Sequence, residues 1–170
     1  MKNEFSLDDV VIAQALPRTE LIRSIELQIS SATVEVGFAF DSAGAVVVRS
    51  LGSASSIRFS QPEIEAMHGH TLTHNHPNRG FFSIFDIHFA ALADLKAIRA
   101  VAGKKVYILT RPMSGWNRKE FDAKFENEKR KILRNLEQRQ INRTEASKRA
   151  NNLIQTVVKL VALPLREENL

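Results

Sequence analysis

The chain has 170 residues, of which 44% are hydrophobic, 7% aromatic and 25% charged. These values are typical of about one globular domain with its own core. Cysteine is absent, which excludes disulfides, thiolate zinc sites and cysteine nucleophiles. No apolar run approaches the roughly 18 residues that a membrane-spanning helix needs, and the N-terminal segment lacks the pattern of a secretory signal. We therefore expect a cytoplasmic protein in which any metal site uses His, Asp or Glu.

The net charge of +5 is concentrated in one segment. Residues 118–150 contain 11 Lys and Arg against 6 Asp and Glu, and the rest of the chain is balanced. The basic excess therefore describes this segment and not the protein as a whole.

The first half of the chain predicts short helices followed by a β-hairpin. Residues 8–15 favour a helix, and residues 20–29 fit either a helix or a strand. From Thr33, apolar and polar residues alternate as in a half-buried strand. A turn at 41–44 and a second strand at 45–50 complete the hairpin.

The segment that follows predicts a short strand near Ile57 and Phe59, a helix over 62–67 and a strand over 71–76. A helix opens at Ser83, and its apolar spacing continues until Gly103.

The C-terminal part predicts a strand over 105–110, a break over 111–115 and helical structure after Trp116. Residues 142–147 either join two helices or lie within one. We therefore predict an α/β domain over residues 1–115 and a helical extension over residues 116–170.

The charged residues of the extension interleave with an apolar stripe. This pattern favours packing on the core or self-association. Binding to a partner protein is a second interpretation, and contact with nucleic acid through the clustered Lys and Arg is a third.

The residues with a chemical signature are His74, His76, Ser83 and Asp86. Side chains two apart on a strand point the same way, so both imidazoles face one point. Asp86 completes a set of three ligands if the loop folds the next helix back over the strand. Two His and one carboxylate leave a fourth position open, as in a catalytic zinc site.

A hydrolytic zinc site also needs a carboxylate that is not a ligand, to move the proton. Glu35 is the best candidate, because it lies on the strand face opposite Val34 and Val36.

Each part of this pattern also has a structural interpretation. Ser83 and Asp86 have the spacing of a helix capping box, and Glu35 fits a solvated charge. His70 is an alternative ligand, since it shares the parity of His74, whereas His88 is turned away from Asp86 on the helix.

The strand bearing His74-Asn-His-Pro77, followed by Ser83-x-x-Asp86, resembles the signature of the JAB1/MPN/Mov34, or JAMM, metalloprotease family. The layout of residues 33–110 is similar to that of bacterial RadC-like members and fits a bacterial or phage JAB-like domain. Six residues separate His76 from Ser83, one fewer than the family pattern usually has.

The resemblance implies that His74, His76 and Asp86 bind Zn²⁺. It implies that Glu35 is the general acid/base and that Ser83 stabilises the oxyanion. It also implies a cytidine deaminase-like fold, with a mixed sheet between helices, and zinc-dependent hydrolysis of peptide or isopeptide bonds, often in ubiquitin-like substrates.

Three functions are therefore open. The first is a JAMM-type zinc metallopeptidase or isopeptidase, which the complete set of residue types favours. The second is a JAMM-like binding or scaffold module that joins a partner, or a second copy, through its C-terminal helices. The third is a RadC-like protein associated with nucleic acid.

Overall fold

The computed structural model describes residues 5–170. Its strands are β1 Val36–Phe40, β2 Val46–Leu51, β3 Thr71–Asn75, β4 Ala97–Ala102, β5 Lys105–Thr110 and β6 Leu165–Asn169. They form one sheet in the order β2-β1-β3-β4-β5-β6. Strands β3 and β4 are parallel, and all other neighbours are antiparallel.

Helices cover both faces of this sheet. They are α1 Arg18–Ile29, α2 Gln61–Ala66, α3 Ile84–Leu92, α4 Arg118–Glu137, α5 Arg143–Asn151 and α6 Leu153–Leu160. Helix α1 packs on one face, while α3, α4 and α6 contribute to a second core on the other. The protein is therefore an α/β protein with a six-stranded mixed sheet flanked by helices and with C-terminal helices, which confirms the coarse fold class.

Strand β1 lies inside the sheet, and all five of its residues are buried. Val36, Phe38 and Phe40 contribute to the α1 core, and Ala39 contributes to the opposite one. The alternating residues of β1 therefore face two different cores. The predicted half-buried strand, with one face in solvent, is not observed. The predicted hairpin with β2 is confirmed, and Asp41 Oδ1 accepts 2.8 Å hydrogen bonds from two amides of its turn.

The predicted long helix from Ser83 to Gly103 is wrong. Helix α3 ends at Leu92, Asp94 adopts a left-handed φ of 45°, and β4 begins at Ala97. Leu95 and Ile98 are buried in the same core as Ile87. Because these two residues continue the helical spacing, the sequence pattern did not show where the helix ends.

Other differences lie in short or terminal segments. Residues 20–29 are helical as part of α1, whereas the predicted helix over 8–15 is replaced by a 3-10 turn at Leu7–Asp9. The segment around Ile57 and Phe59 forms no strand.

The C-terminal extension contains three helices and a final strand. Asn142 caps α5, since its side chain accepts a hydrogen bond from the Glu145 amide at 2.8 Å. The prediction of helix to the end of the chain is wrong, because β6 pairs with β5. The domain boundary after residue 115 stays a prediction. No helix within residues 5–170 is both long and apolar enough to cross a membrane.

The extension nevertheless packs into the core. Phe121 of α4 is 2% exposed and belongs to the same cluster as Ile87 of α3 and Val157 of α6. This packing accounts for the apolar stripe of the extension.

We predict that Phe121→Ala lowers the free energy of unfolding by about 3–5 kcal/mol, because it removes a buried aromatic ring and leaves a cavity. Leu133→Ala, on the same helix at a side chain that is 49% exposed, should change stability by no more than about 0.5 kcal/mol. Urea unfolding of both variants checks this, and equal effects would contradict the packing of α4 on the core.

Candidate metal centre

Strand β3 places both histidines in one space. Leu72, His74 and His76 line the cleft on the α3 side of the sheet. His74 pairs in register with Gly37 of β1 and Ala100 of β4. Because neither neighbour has a bulky side chain, the imidazole of His74 has room between them.

The loop after β3 returns the chain over this strand. His76 extends the parallel pairing by donating its amide to Val101 O at 2.8 Å. A turn follows, in which the Arg79 amide donates to His76 O at 2.9 Å. Phe82, 2% exposed, anchors the end of the loop in the core, and α3 begins directly after it. The first turn of α3 therefore faces the two histidines.

The three predicted ligands meet there. His74 Nε2 lies 3.1 Å from Asp86 Oδ1, His76 Nε2 lies 3.4 Å from Asp86 Oδ2, and the two Nε2 atoms are 2.9 Å apart. The ligand atoms all lie within 4.8 Å of one another. The histidine side chains are buried, and that of Asp86 is 16% exposed.

The hydrogen bonds fix which nitrogen of His76 faces the centre. Its Nδ1 lies 3.1 Å from the carbonyl oxygen of Gly80. A carbonyl only accepts, so Nδ1 carries the proton and, in the neutral ring, Nε2 presents a lone pair. Such an outer hydrogen bond is the usual means of orienting a metal-binding histidine.

His74 differs from His76 in this respect. Its Nδ1 is buried and has no hydrogen-bond partner among the described residues. All polar contacts of that ring are therefore made at Nε2, inside the cluster.

The electrostatics favour a cation between these groups. Burial opposes ionisation of Asp86, but His74 and His76 outweigh it and hold the pKa of Asp86 far below its ordinary value. Burial also opposes the charged form of His76, but hydrogen bonding to Asp86 and its negative charge raise the pKa of His76. An ionised carboxylate and two ring nitrogens in contact require a proton or a metal ion among them.

The donor set fits a metal. Two ligands at the usual zinc distance and tetrahedral angle lie about 3.3 Å apart, close to the observed separations of 2.9–3.4 Å. The buried group of His74, His76 and Asp86 could therefore hold a metal ion, and we call these three residues the metal group.

Ser83 contacts the metal group through Asp86. Its amide and its hydroxyl donate to Asp86 Oδ2 at 2.6 and 2.8 Å, and its hydroxyl accepts from the Asp86 amide at 3.2 Å. The capping-box interpretation is thus confirmed. It does not compete with the metal interpretation, because Asp86 faces the histidines at the same time.

Glu35 lies just before β1 and is half-buried in the wall of the same cleft. The cleft has a volume of about 530 Å³ and also contains His74, His76, Ser83 and Asp86. Burial raises the pKa of the Glu35 carboxyl, and the two histidines oppose that rise. The structure thus brings all five predicted site residues to one cleft.

The other candidates lie elsewhere. His70 does not join the metal group. His88 also lines the cleft, but its Nε2 lies 2.6 Å from Asp122 Oδ1 of α4. Glu26 of α1 is on the other side of the sheet, where Arg99 binds both of its oxygens at 2.6 and 3.0 Å. Sequence reasoning missed these two pairs, since no local spacing connects residues so far apart in the chain.

Comparison with known proteins adds no relative. The chain matches no protein-family model, no curated protein and no solved structure. The interpretation of the site therefore depends on its own geometry.

We predict that the purified protein binds about one zinc per chain and that His74→Ala abolishes this binding. The variant should remain folded, because a three-ligand site with an open position contributes less to folding than a closed structural site. Metal analysis of the dialysed proteins measures the effect. His70→Ala is the matched control and should keep its zinc; unchanged zinc content in His74→Ala would refute the assignment.

Proposed function

We propose that the protein is a zinc-dependent hydrolase of peptide or isopeptide bonds, similar to the JAMM metalloproteases. The observation that carries the proposal is the convergence of His74 Nε2, His76 Nε2 and the Asp86 carboxylate in a cleft that also contains Glu35 and Ser83. The sheet between helices, with the ligands on β3 and at the start of α3, is consistent with the cytidine deaminase-like core of that family.

Zinc in this position would act as a Lewis acid and make hydroxide available near neutral pH. His74, His76 and Asp86 would supply the three protein ligands and leave one position open to the cleft. Asp86 would also balance part of the charge of a bound metal, and it is itself held by the amide and hydroxyl of Ser83.

Glu35 is suited to move the proton. The attacking water must lose a proton and the leaving amine must gain one, and one carboxylate beside the reacting atoms does both. Its raised pKa brings the carboxyl nearer to the range in which it accepts and returns a proton. Its side chain makes no hydrogen bond or ion pair among the described residues, so it is not committed to a structural partner.

Ser83 has two roles in this proposal. In the structure its hydroxyl donates to Asp86 Oδ2 at 2.8 Å and orients that ligand. To stabilise the oxyanion of the tetrahedral intermediate, the hydroxyl has to turn from Asp86 towards the substrate. The Ser83 amide, which donates to the same oxygen at 2.6 Å, keeps Asp86 in place when the hydroxyl turns.

We predict that Glu35→Gln keeps its zinc and lowers turnover by at least about 100-fold, because the amide has the size of the carboxylate and cannot transfer the proton. The assay is mass spectrometry of a peptide mixture prepared from a digested cell lysate. Metal analysis of the same samples establishes that the site is loaded.

Glu20→Gln is the matched control, since Glu20 lies on α1, which covers the opposite face of the sheet. It should cleave at the rate of the unaltered protein. Cleavage by Glu35→Gln at the rate of the unaltered protein would refute the acid/base role of Glu35. A zinc-loaded protein that cleaves no peptide of the mixture would refute the hydrolase proposal.

A further inference from the structure

Exposed apolar side chains form one wall of the cleft. Phe85, Phe89 and Leu92 follow one another at four and three residues on α3, so they form a single stripe. Phe85 is 77% exposed and Leu92 is 66% exposed. Phe89 lies between them and is partly buried, so the stripe is a continuous apolar surface, and such a surface on a folded protein marks a binding site more often than single exposed residues do.

The segment between β2 and α2 forms a second wall. Its apolar part is Ile57 and Phe59, beside the polar Ser55, Ser56 and Arg58. The rings of Phe59 and Phe89 stack with centroids 5.0 Å apart, so the two walls are in contact at this pair. We call the space between the five apolar residues of the two walls the α3 groove, and it is continuous with the cleft of the metal group.

The length of the groove suits a peptide. Residues 85 and 92 are seven apart on a helix, which corresponds to about 10 Å. An extended peptide covers that distance with about three residues.

The charges in the cleft select among peptides. Its cationic residues are Arg58 and Arg118. Arg118 also pairs with Asp122 of α4 at 3.4 Å, so Arg58 is the cation without an ion-pair partner within residues 5–170. Among the described residues, the acidic ones that line it are Glu35 and Asp86, both assigned to the reaction centre. Outside the reaction centre, the charged side chains left to contact the substrate are therefore positive, and the others are apolar or neutral and polar, such as Ser55 and Asn78.

We propose that the α3 groove binds a peptide segment with a large apolar side chain beside the scissile bond and an acidic side chain nearby. This specificity rests on the proposed function. It disfavours substrates whose cleaved segment is rich in Lys and Arg.

The test uses two short fluorescein-labelled peptides, one with Leu, Phe and Glu and one in which Lys replaces each Glu. Binding to zinc-loaded Glu35→Gln is measured by fluorescence anisotropy, so the result does not require turnover. The acidic peptide should bind at least about tenfold more tightly, because unlike charges attract across the groove. Phe85→Ser should weaken it about tenfold through the lost apolar contact, whereas Leu133→Ser on α4 should not.

Cleavage by the unaltered protein gives the second readout. Sites cut in the lysate-derived peptide mixture should be enriched in large apolar residues and in Asp or Glu. Equal binding of the two peptides, or enrichment of Lys and Arg at the cut sites, would overturn the specificity. Absence of all cleavage together with selective binding would overturn the hydrolase function and leave the groove as a peptide-binding site.

A different observation concerns Asn75, the residue between the two histidines. Its side chain is 1% exposed and makes three hydrogen bonds. Asn75 Oδ1 accepts from the Val36 amide at 2.7 Å, and Nδ2 donates to Val34 O at 2.9 Å and to Ala32 O at 3.3 Å. The first two bonds hold the main-chain groups immediately before and after Glu35.

The side chain of Asn75 takes the place of main-chain pairing between β3 and residues 34–36. The pairing of β1 with β3 ends at Gly37 and His74, because the chain then continues along β4 and turns away. On its other side, Glu35 accepts from the Gly52 amide and donates to Ser53 O, both at 2.7 Å. The side chain of Asn75 thus supplies the inner partner that the main chain of β3 no longer supplies.

We infer that Asn75 is a positioning residue that aims the Glu35 carboxylate at the metal group. It faces the α1 side of β3 while the histidines face the cleft, so it acts through the backbone of residues 34–36 and not through the metal. This role also rests on the proposed function.

The test compares Asn75→Ala and Asn75→Asp in the unaltered protein and in Glu35→Gln. Zinc content should stay unchanged. In the unaltered protein, kcat should fall about 10- to 100-fold with KM constant, because the carboxylate is misplaced. In Glu35→Gln, the same change should have no further effect, since coupled residues are not additive. Ile108→Val, a buried apolar substitution in the same α1-side core but on β5, is the matched control and should leave kcat unchanged.

Hydrogen exchange at the Val36 amide gives a readout that is independent of turnover. The amide should lose protection in both Asn75 variants and keep it in Ile108→Val. Retained protection, or an equal fall of kcat in both backgrounds, would overturn the positioning role. If the unaltered protein cleaves no peptide, the hydrolase proposal is overturned. The exchange data then still test whether Asn75 holds the backbone around Glu35.

Discussion

The site depends on the contact of three groups that repel one another unless a cation lies among them. Two imidazole nitrogens and an ionised carboxylate are collected within 4.8 Å and largely removed from water. Taking such groups out of water is unfavourable unless they are paired. The surrounding structure serves to hold them: small residues flank His74, Gly80 orients His76, and a capping box fixes Asp86.

The side of β3 that faces α1 is also held by hydrogen bonds. Thr73 Oγ1 donates to Glu26 Oε1 at 2.8 Å, and Arg99 of β4 binds both oxygens of that carboxylate. Glu26 is 1% exposed, so a bidentate pair of this kind is short, directional and sensitive to loss of either partner. The two parallel strands under the metal group are thereby fastened to α1, and the histidines project from a rigid support.

Local patterns predicted the parts of the site that lie close together in the chain. The two-residue spacing of His74 and His76 and the Ser83-x-x-Asp86 helix start were both readable, because each follows from the period of one element. In β1, the alternating pattern did not reveal that both faces of the strand are buried. Beyond α3, the helical spacing did not reveal that the helix ends and a buried strand follows, because the apolar residues of the strand fit the same spacing. Asn75 and Glu35 are 40 residues apart, and only the register of the sheet shows that one holds the other.

The central claim is that these three residues bind a metal, and anomalous diffraction from a crystal at the zinc absorption edge tests it most directly. The account predicts one peak per chain, about 2.0–2.2 Å from His74 Nε2, His76 Nε2 and an Asp86 oxygen, with its open side towards Glu35. A peak at another set of residues, or no peak in protein supplied with zinc, would contradict it.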